Sequence, residues 1–549
     1  MFSADEITKH GTPSSCWLVI NGKVYDVTAY LDLHPGGAAI LLKQGGQDAT
    51  FEFRKIHSPD ILQFLPKDIC LGEVDPATVA SLPLASASNA DTNPNGNPNS
   101  RTSTTNAGSG PPHISHCIAL PDFEPAAKAV LSPNAYSYVS SSANSGLAHA
   151  ANLSSWRRVS FRPRIWPQGG VARASARTSI LGAGAAFPFY CSAMGQLGRA
   201  HDGGEVALVR ALARRGVHGL LSTVSTQSME EVMEAFEGEK RALEGGGDEG
   251  KGASVNEGKP STGAGVAAAE ELPPAQLHFQ LYIPNDRSVA VDTIRRAKAA
   301  GFRSLWVTVD TPTIGKRTID RRIQAQEALA MGLPVEAEKA GFGMRSHVDG
   351  GQLNAALTWA DLVWIREAWG DGPVVVKGVQ SAEDARLALA HGCQGIVLSN
   401  HGGRQAHSAP DALTTLLEIR TYCPEVLGRL EVLVDGGCRD GADVLKALCL
   451  GATAVGIARP FFYALGAYGE KGVERCCDSE YFRFRIVTLA FLLFWLFMPM
   501  LILRGIVLAE ELVLNMKLIG MNSLDQASPD RVNAMRLYNE MWRPEKGRL

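Results

Sequence analysis

A histidine and an arginine lie three residues apart in residues 399–405, which read Ser-Asn-His-Gly-Gly-Arg-Gln. The apolar run 395–398 leads into them and predicts a buried strand, so both side chains fall in a glycine-rich loop at its end. Histidine takes up a proton near neutral pH, and the arginine fork matches a carboxylate. The loop therefore suits a small substrate with an acid group, although a His-Gly-Gly-Arg loop is by itself more often structural.

From residue 117 onward the pattern is strand, loop and helix, repeated. The apolar runs that predict strands are residues 187–191, 219–221, 277–282, 304–309, 374–377, 395–398, 432–434 and 454–457. Helical periodicity fills the intervals, as in residues 289–300 and 382–391. Eight strands that alternate with helices indicate an α/β fold, a (β/α)8 TIM barrel, with a doubly wound sheet as the alternative.

Polar residues follow the predicted strands, where barrel enzymes place their chemistry. They are Ser192, Ser222, Gln280, Tyr282, Thr308, Asp310, Lys377, His401, Asp435 and Arg459. Any one of them is compatible with an ordinary strand cap, but a polar group at eight successive strand ends favours one shared site.

The last two strands also carry residues 435–439, Asp-Gly-Gly-Cys-Arg, and residues 456–460, Gly-Ile-Ala-Arg-Pro. Glycines expose backbone N–H groups, and arginines pair with a dianion. Because the loops after strands seven and eight are a frequent phosphate site in barrels, these residues predict a cofactor that bears phosphate.

A compact unit precedes the barrel in residues 1–75. Two short strands, 16–20 and 23–27, flank an Asn-Gly turn, and His34 and His57 follow at loop–helix junctions. Two neutral imidazoles that face one another can ligate haem iron. This stretch resembles the cytochrome b5 family, which implies an α+β domain with haem b ligated by His34 and His57. Asp and Glu outnumber Lys and Arg here, a weak sign of a basic redox partner.

Composition sets the remaining boundaries. Residues 76–116 are rich in Ser, Ala, Asn, Gly and Pro and predict a flexible linker to the barrel domain, 117–549. Residues 237–275 predict a disordered insertion.

The net charge of -3 gives no sign of nucleic-acid binding. Ten cysteines without metal-ligand spacing indicate a reducing compartment, or an intermembrane one that leaves them unmodified. The N-terminus carries no visible targeting segment.

Five motifs together resemble the FMN-dependent 2-hydroxy acid dehydrogenase and oxidase family. They read Gln-Leu-Tyr at 280–282, Thr-Val-Asp-Thr-Pro at 308–312, Val-Lys-Gly at 376–378, Ser-Asn-His-Gly-Gly-Arg-Gln at 399–405 and Asp-Gly-Gly at 435–437. The Ser-Asn-His-Gly motif is the specific one. A b5-like domain in front narrows the resemblance to the flavocytochrome b2 group, the L-lactate dehydrogenases that reduce cytochrome c. The implied cofactors are FMN and haem b, and the implied localisation is the mitochondrial intermembrane space, with the cytoplasm as the alternative.

The resemblance also implies roles for individual residues. His401 would be the base that deprotonates the hydroxy acid, and Asp310 would stabilise the imidazolium. Tyr282 would hydrogen-bond the substrate oxygen, and Arg404 with the Tyr138 hydroxyl would hold the carboxylate. The sequence leaves open whether the C2 proton or the hydroxyl proton moves to the base.

Further roles concern substrate charge and the cofactor. Arg317 would add positive charge to the substrate site, and Lys377 would stabilise the reduced flavin. The residues that would hold the flavin ring, ribityl chain and phosphate are Ser192, Ala193, Ser222, Gln280, Thr308, Asp435, Gly436, Gly437, Arg439, Ala458 and Arg459.

The sequence departs from the family pattern at four positions. Ser192 stands where a threonine is usual, and Ala458 and Ser142 each replace a glycine. Val224 aligns with the side chain that limits substrate size, and its modest volume predicts that acids larger than lactate fit.

Residues 486–503 form an uncharged apolar run inside the segment 476–505. Its length is that of a marginal membrane span. It interrupts the final barrel helix, whose second part is predicted at 508–520, so an insertion foreign to the folded enzyme is favoured over a membrane segment.

Three alternatives to a flavin–haem dehydrogenase remain open from the sequence. They are an oxidase that uses oxygen, a haem electron carrier with an inactive barrel, and a membrane-tethered redox protein. The resemblance suggests a homotetramer.

Overall fold

The structure is a computed structural model. It describes residues 1–34, 38–54, 56–57, 61–62, 67–83, 110–165, 167, 169–172, 174–245, 272–330, 353–477 and 507–543. The Pro-Gly-Gly that follows His34, most of the predicted linker, residues 246–271 of the predicted insertion and the apolar run 486–503 lie outside the described residues.

A small mixed sheet organises the N-terminal unit. Its strands are β1 (Gly11–Thr12), β2 (Ser15–Ile20), β3 (Lys23–Asp26), β4 (Gln47–Asp48) and β5 (Cys70–Glu73). β2 pairs antiparallel with β1 and β3 and parallel with β4, and β5 pairs with β3. Asn21 and Gly22 join β2 to β3 with φ angles of +50° and +77°, the left-handed geometry that selects Asn-Gly in two-residue hairpins.

Three short helices complete this unit, Ala4–Ile7, Ala38–Gln44 and Thr50–Arg54. Apolar side chains cover both faces of the sheet. Cys16, Leu18 and Tyr25 belong to the core on the side that carries the helices 38–44 and 50–54, whereas Val19 and Val24 belong to a second, smaller core. The alternation along β2 and β3 therefore produces two thin apolar layers.

The large domain is a closed barrel of parallel strands, as predicted. Its strands are β9 (Phe189–Cys191), β10 (His218–Ser222), β11 (Leu277–Leu281), β12 (Leu305–Thr308), β13 (Val374–Val379), β14 (Gly395–Leu398), β15 (Glu431–Asp435) and β16 (Ala454–Ile457). Each pairs in parallel with the next, and β16 closes the ring on β9. Closure excludes the doubly wound alternative, because an open sheet would leave β9 and β16 as unpaired edges.

The helices surround this barrel. Those between and after the strands are Gly204–Arg215, Met229–Gly245, Arg287–Ala300, Thr318–Ala330, Leu362–Trp369, Ala382–Ala390, Ala412–Tyr422, Gly441–Leu450, Arg459–Tyr468 and Glu470–Cys477. Those before and after the barrel are Phe123–Val130, Pro133–Ser140, Leu147–Ser155, Leu508–Leu518 and Met535–Tyr538. Local sequence sets several starts, since Ser381, Asp411 and Asp440 accept backbone N–H groups as N-caps. The helices predicted at 289–300, 382–391 and 508–520 are confirmed.

A hairpin of β7 (Thr178–Ile180) and β8 (Ala183–Ala185) closes the barrel at the amino ends of its strands. Ile180 and Leu181 pack into the same cluster as Trp306, inside the barrel. The carbonyl of Gly184 lies 3.1 Å from Nε2 of His218, the first residue of β10. This end of the barrel is therefore filled, and an open cavity is left to the opposite end.

An ion-pair cluster joins helices at the seam where β9 meets β16. The Arg214 guanidinium lies 2.7 Å from carboxylate oxygens of both Glu239 and Glu470 and 2.9 Å from that of Glu474. The cluster ties the first barrel helix to the second and to the last, Glu470–Cys477.

The helix Leu508–Leu518 packs closely on the helix Gly441–Leu450. A Cβ at Gly441 would lie 2.1 Å from the backbone nitrogen of Leu512, so glycine is needed at this crossing. Glu511 Oε2 accepts the Gly441 N–H at 2.9 Å. Burial raises the pKa of Glu511 to about 7. Beyond this helix, β17 (Val532–Asn533) pairs with β6 (Ser160–Phe161).

Five predicted boundaries shift. Within the linker predicted to extend to residue 116, the carbonyl of Pro112 accepts a hydrogen bond from the Tyr468 hydroxyl, and Ala275, the last residue of the predicted insertion, is buried. Cys476 and Cys477 belong to the helix Glu470–Cys477 and not to the insertion predicted at 476–505. The insertion predicted from residue 237 begins later, because the helix Met229–Gly245 continues through strong helix formers and Arg214 binds Glu239. The linker predicted from residue 76 also begins later, because Leu82 is buried and the carbonyl of Pro83 accepts the Asp48 N–H. Among the helices in the described ranges, none is long and apolar enough to span a bilayer.

Candidate active site and cofactor sites

A partly open cavity lies at the carboxyl ends of the barrel strands. Its walls contain every residue predicted for the barrel site except Asp310, which lies behind His401. The predicted residues in the wall are Tyr138, Ser192, Ala193, Ser222, Gln280, Tyr282, Thr308, Arg317, Lys377, His401, Arg404, Asp435, Gly436, Gly437, Arg439, Ala458 and Arg459. The fold thus brings together side chains from eight strand ends and from the helix Pro133–Ser140.

His401 is held at both ring nitrogens. Nδ1 lies 2.9 Å from Asp310 Oδ1, and Nε2 lies 3.2 Å from the Tyr282 hydroxyl. The backbone N–H of His401 donates to Ser399 Oγ at 3.0 Å. A buried carboxylate on Nδ1 fixes the tautomer that leaves Nε2 free to accept a proton on the cavity side.

The Asp310 carboxylate is fully buried behind the imidazole. Burial acts to raise the pKa of Asp310, but the adjacent His401 and Lys377 outweigh it and hold that pKa below its ordinary value. Thr311 Oγ1 donates to Oδ1 at 3.0 Å, while Oδ2 has no hydrogen-bond partner in the described part of the chain. The carboxylate therefore remains ionised and can stabilise positive charge on the ring.

Two arginines and a tyrosine form another part of the cavity wall. Arg404 donates to the carbonyls of Tyr138 and Val139 at 2.6 and 3.1 Å, and its guanidinium lies 5.2 Å from the Tyr138 ring centroid. Burial, reinforced by Arg317, lowers the pKa of Arg404 to about 9. Nε and Nη1 of Arg317 are buried without a partner among the described residues. This wall carries uncompensated positive charge and favours an anion.

Lys377 and Asp435 form a buried ion pair beside the loop 399–405. Lys377 Nζ lies 3.2 Å from Asp435 Oδ2 and donates to Ser399 Oγ at 3.0 Å. Burial acts to lower the pKa of Lys377, but Asp435 and Asp310 outweigh it and raise that pKa. The ammonium therefore stays charged at the bottom of the cavity.

A row of polar groups crosses the first strands. Ser222 Oγ donates to Gln280 Oε1 at 3.1 Å, and Gln280 Nε2 donates to Thr308 Oγ1 at 3.0 Å. Ser192 Oγ, by contrast, is buried without a hydrogen-bond partner among the described residues, as is Asp435 Oδ1. Both atoms belong to cavity-lining residues, and each lacks a partner that a polar ligand could supply.

The far end of the cavity is formed by glycines, arginines and the start of the helix Arg459–Tyr468. Gly436 and Gly437 are left-handed, with φ of +96° and +83°. Ala458 has φ of -116°, so the alanine at this family glycine position causes no backbone strain. Arg439 lines this end, and the exposed N–H groups of a helix start suit a phosphate.

Arg459 lines the cavity, but its guanidinium N–H groups donate hydrogen bonds to protein acceptors. Its guanidinium reaches the carbonyls of Val139 and Gly402 at 3.2 and 2.9 Å and the Nδ1 of His149 at 2.7 Å. Burial lowers the pKa of Arg459 to about 10 and, with the neighbouring arginines, that of His149 to about 3. His149 is therefore a neutral acceptor. A lone histidine on an alanine-rich helix gave no sequence signal for this contact.

In the N-terminal unit the two predicted haem ligands face one another. The ring centroids of His34 and His57 are 6.1 Å apart, with planes inclined by 68°. His34 follows the 3₁₀ helix Thr28–Leu33, and His57 follows the helix Thr50–Arg54. Phe53, Tyr30 and Leu62 are among the apolar neighbours on this side of the sheet.

Family models match both units. The description "FMN-dependent dehydrogenase" covers residues 127–244 and 255–479, and "Cytochrome b5-like Heme/Steroid binding domain" covers residues 3–75. The chain belongs to the FMN-dependent dehydrogenase family. It joins that family's barrel to a b5-like domain, as the motifs indicated.

The similar proteins fall into two groups according to the share of this chain that they match. The L-lactate dehydrogenase (cytochrome) of Wickerhamomyces anomalus is 30% identical over 97% of this chain and 80% of its own length. The protein of the same description from Saccharomyces cerevisiae is 29% identical over the same shares. The glycolate oxidase of Spinacia oleracea is 34% identical but covers only 64% of this chain and 86% of its own.

Solved structures of both kinds resemble this chain over similar shares of its length. A flavocytochrome b2 double mutant with pyruvate bound has a TM-score of 0.59 at 29% identity, over 79% of this chain and 94% of its own. A mandelate oxidase complex with (S)-2-phenylpropionate has a TM-score of 0.55 at 29% identity, over 76% and 98%. In sequence, this FMN-dependent dehydrogenase aligns over 97% of its length with the relatives described as L-lactate dehydrogenase (cytochrome), and over 64% with the glycolate oxidase.

The residues present fit both cofactors. In the barrel, the unpartnered Ser192 Oγ and Asp435 Oδ1 and the buried Lys377 suit the polar rim of a flavin, and the helix start beside Arg439 suits its phosphate. In the b5-like domain, nitrogens about 2 Å from a shared metal would place two imidazole centres roughly 6 Å apart. The 6.1 Å between His34 and His57 agrees with this.

Proposed function

We propose that this FMN-dependent dehydrogenase oxidises an L-2-hydroxy acid, with L-lactate to pyruvate as the default reaction, and passes the electrons through haem b to cytochrome c. One observation carries the proposal. His401 Nε2 faces the cavity beside the Tyr282 hydroxyl, with a buried carboxylate on its other nitrogen, and Arg404 lines the same cavity. A base beside a carboxylate clamp suits an acid that carries a neighbouring hydroxyl group.

The substrate carboxylate is held by the positive wall. Arg404 keeps its orientation through the carbonyls of Tyr138 and Val139, and Arg317 supplies unpaired N–H donors. A bound anion offsets the burial and the repulsion from Arg317 that lower the pKa of Arg404, so recognition is strongest for a charged carboxylate. The carboxylate thereby directs the hydroxyl-bearing carbon toward His401.

His401 Nε2 takes up the proton that the hydroxy acid loses. Burial, and after it Asp310, raises the pKa of Tyr282, so its hydroxyl remains protonated and can donate to the substrate oxygen. As the imidazole gains charge, Asp310 stabilises it across the 2.9 Å contact. When bound, FMN supplies uptake of the alcohol's two electrons, and haem supplies one-electron transfer outward.

The experiment is a visible spectrum of the purified protein under anaerobic conditions, before and after L-lactate. We expect bleaching of the flavin band and the appearance of reduced haem, with D-lactate as the stereochemical control. The matched variant His401→Gln keeps a polar side chain but lacks the base and should bleach at least about 1000-fold more slowly. Equal bleaching by the wild-type protein and this variant would contradict the proposal.

An oxidase is the second candidate, since the barrel alone resembles glycolate oxidase and the L-lactate oxidase of Nostoc, which is 34% identical over 66% of this chain. The facing His34 and His57 favour transfer to haem instead. Oxygen consumption faster than cytochrome c reduction would support the oxidase. An inactive barrel is disfavoured because the barrel is closed and its site is assembled.

We further propose a homotetramer in the mitochondrial intermembrane space, on family resemblance alone, with the cytoplasm as the alternative compartment. Light scattering after gel filtration tests the first point and organelle fractionation the second. Carbonate extraction of the native protein tests whether residues 486–503 contribute a membrane contact.

A further inference from the structure

The catalytic loop has an unusual backbone. His401, Gly402 and Gly403 have φ angles of +59°, +65° and +79°, so three successive residues are left-handed. Glycine accepts this conformation freely, but histidine does not, because its Cβ crowds the neighbouring carbonyl oxygen. A histidine held this way needs surrounding contacts that over-determine the loop.

The side chain of Asn400 supplies such contacts through all four of its hydrogen-bonding positions. Oδ1 accepts from the Gly403 N–H at 2.9 Å and from Asn152 Nδ2 at 2.7 Å. Nδ2 donates to the Pro410 carbonyl at 3.0 Å and to Asn152 Oδ1 at 2.8 Å. The Asn400 amide therefore connects Gly403 to Pro410, and two of its four hydrogen bonds go to Asn152.

The orientation of this amide pair is unique. Rotating the Asn400 amide by half a turn would set its NH2 against the Gly403 N–H and its oxygen against the Pro410 carbonyl. Both contacts would then be repulsive, so Asn400 must present its oxygen to Asn152 Nδ2. Asn152 acts as donor and acceptor at once, and both side chains are at most 2% exposed.

Asn152 lies on the helix Leu147–Ser155, which packs closely against the loop. A Cβ at Gly403 would lie 2.4 Å from the backbone nitrogen of His149, and one at Gly437 would lie 2.0 Å from the Asn152 carbonyl oxygen. The helix therefore offers a rigid surface. The paired amides link it to the loop through side chains, and the Ala148 N–H adds a backbone bond to the His407 carbonyl at 3.1 Å.

We propose that Asn152 is a positioning residue for the catalytic base, which acts through Asn400 to hold the left-handed backbone that presents His401 to the substrate. This inference rests on the proposed role of His401. Asn152 touches neither Nε2 nor Nδ1 of the imidazole, and its effect falls on the direction in which the ring points.

Two substitutions at residue 152 test this, with a control on the same helix. Asn152→Leu removes both bonds. Asn152→Asp keeps the acceptor but sets a carboxylate oxygen against Asn400 Oδ1, unless the acid is protonated and donates in place of the amide. Ser154→Ala changes a half-buried hydroxyl two residues along that does not reach the loop, and it should leave the rate unchanged.

The measurement is the anaerobic flavin-reduction rate per bound FMN, so that cofactor loss does not count. For Asn152→Leu we expect a limiting rate about 100-fold below wild type with an apparent Kd for L-lactate within about threefold, since the base is misaligned while the carboxylate clamp is intact. For Asn152→Asp the ratio of its rate to that of wild type should fall as pH rises, because deprotonation breaks the pair. A structural role alone would not produce that pH dependence.

A limiting rate for Asn152→Leu within about threefold of wild type would overturn the proposal, as would an Asn152→Asp ratio independent of pH. The free energy of unfolding can be measured without turnover, for Asn152→Leu, Asn400→Leu and the double variant. Non-additive losses of stability are expected, because each variant breaks the same bonds. If wild type reduces no flavin with any 2-hydroxy acid yet this coupling persists, the proposed function fails and the amide pair stands.

Discussion

Replacing Asp310 by asparagine should slow proton transfer without disturbing the site. Asparagine keeps an oxygen for the His401 Nδ1–H but removes the charge. The two atoms lie 2.9 Å apart and the carboxylate is fully buried. With charge centres about 4 Å apart and an effective dielectric constant of about 20, the lost attraction is about 4 kcal/mol. This corresponds to roughly a 1000-fold change in rate, of which the retained hydrogen bond preserves a part.

We therefore expect the limiting rate of flavin reduction by L-lactate to fall between about 100- and 1000-fold in Asp310→Asn. Stopped-flow absorbance under anaerobic conditions measures this rate directly. Thr311→Val is the graded control, because it removes the hydroxyl that donates to Asp310 Oδ1 at 3.0 Å and leaves the charge. Its effect should stay below about tenfold.

Flavin content and the midpoint of thermal unfolding show whether either substitution also weakens FMN binding or the fold. If Asp310→Asn bleached its flavin within about threefold of the wild-type rate, no substantial charge would develop on His401 in the rate-limiting step. The assignment of the imidazole as base would then be wrong, however well the site is assembled.

Three further predictions concern other parts of the chain. Arg404→Lys should raise the KM for L-lactate at least about tenfold, because an ammonium lacks the planar fork that binds a carboxylate with two N–H groups while others hold the Tyr138 and Val139 carbonyls. An unchanged KM in steady-state assays would contradict this. His57→Ala should remove the haem absorbance and cytochrome c reduction while flavin bleaching persists, and full haem content in the purified variant would exclude this residue as a ligand. Glu511 has its pKa raised from 4.5 to about 7 by burial, so the folded state binds the extra proton and the wild-type protein loses stability as pH rises from about 4.5 to 7. Glu511→Gln should thus match wild type in acid and unfold at a higher temperature above neutral pH, and equal melting curves at high pH would refute the argument.

The barrel could be predicted from sequence because each strand is a short apolar run that ends in a polar residue. β14 covers the predicted residues 395–398. β9 is shorter than its apolar run because Pro188 has no N–H for a ladder and only its carbonyl pairs, with Val455. The chemistry was predictable for the same reason, since parallel strands bring their carboxyl ends to one edge.

The contacts that hold the site together had no local signature. Asn152 and Asn400 are 248 residues apart, and neither the alanine-rich helix nor the loop motif indicates the other. The hairpin of β7 and β8 was missed because its strands are three residues long and rich in small residues. The left-handed φ of His401 was also missed, although the two glycines after it were a usable signal.

The ligand cavity contains more positive charge than the protein itself neutralises. Arg317, Arg404 and Arg459 line it, and within the described ranges none of the three has an acidic side chain as an ion-pair partner. The newly made polypeptide therefore folds against electrostatic repulsion that a bound anion relieves. Because a ligand stabilises the folded form in proportion to the logarithm of its concentration over Kd, the cell's supply of flavin nucleotide would set how much of this protein survives proteolysis. Riboflavin starvation should lower its abundance before it lowers the activity of each surviving molecule.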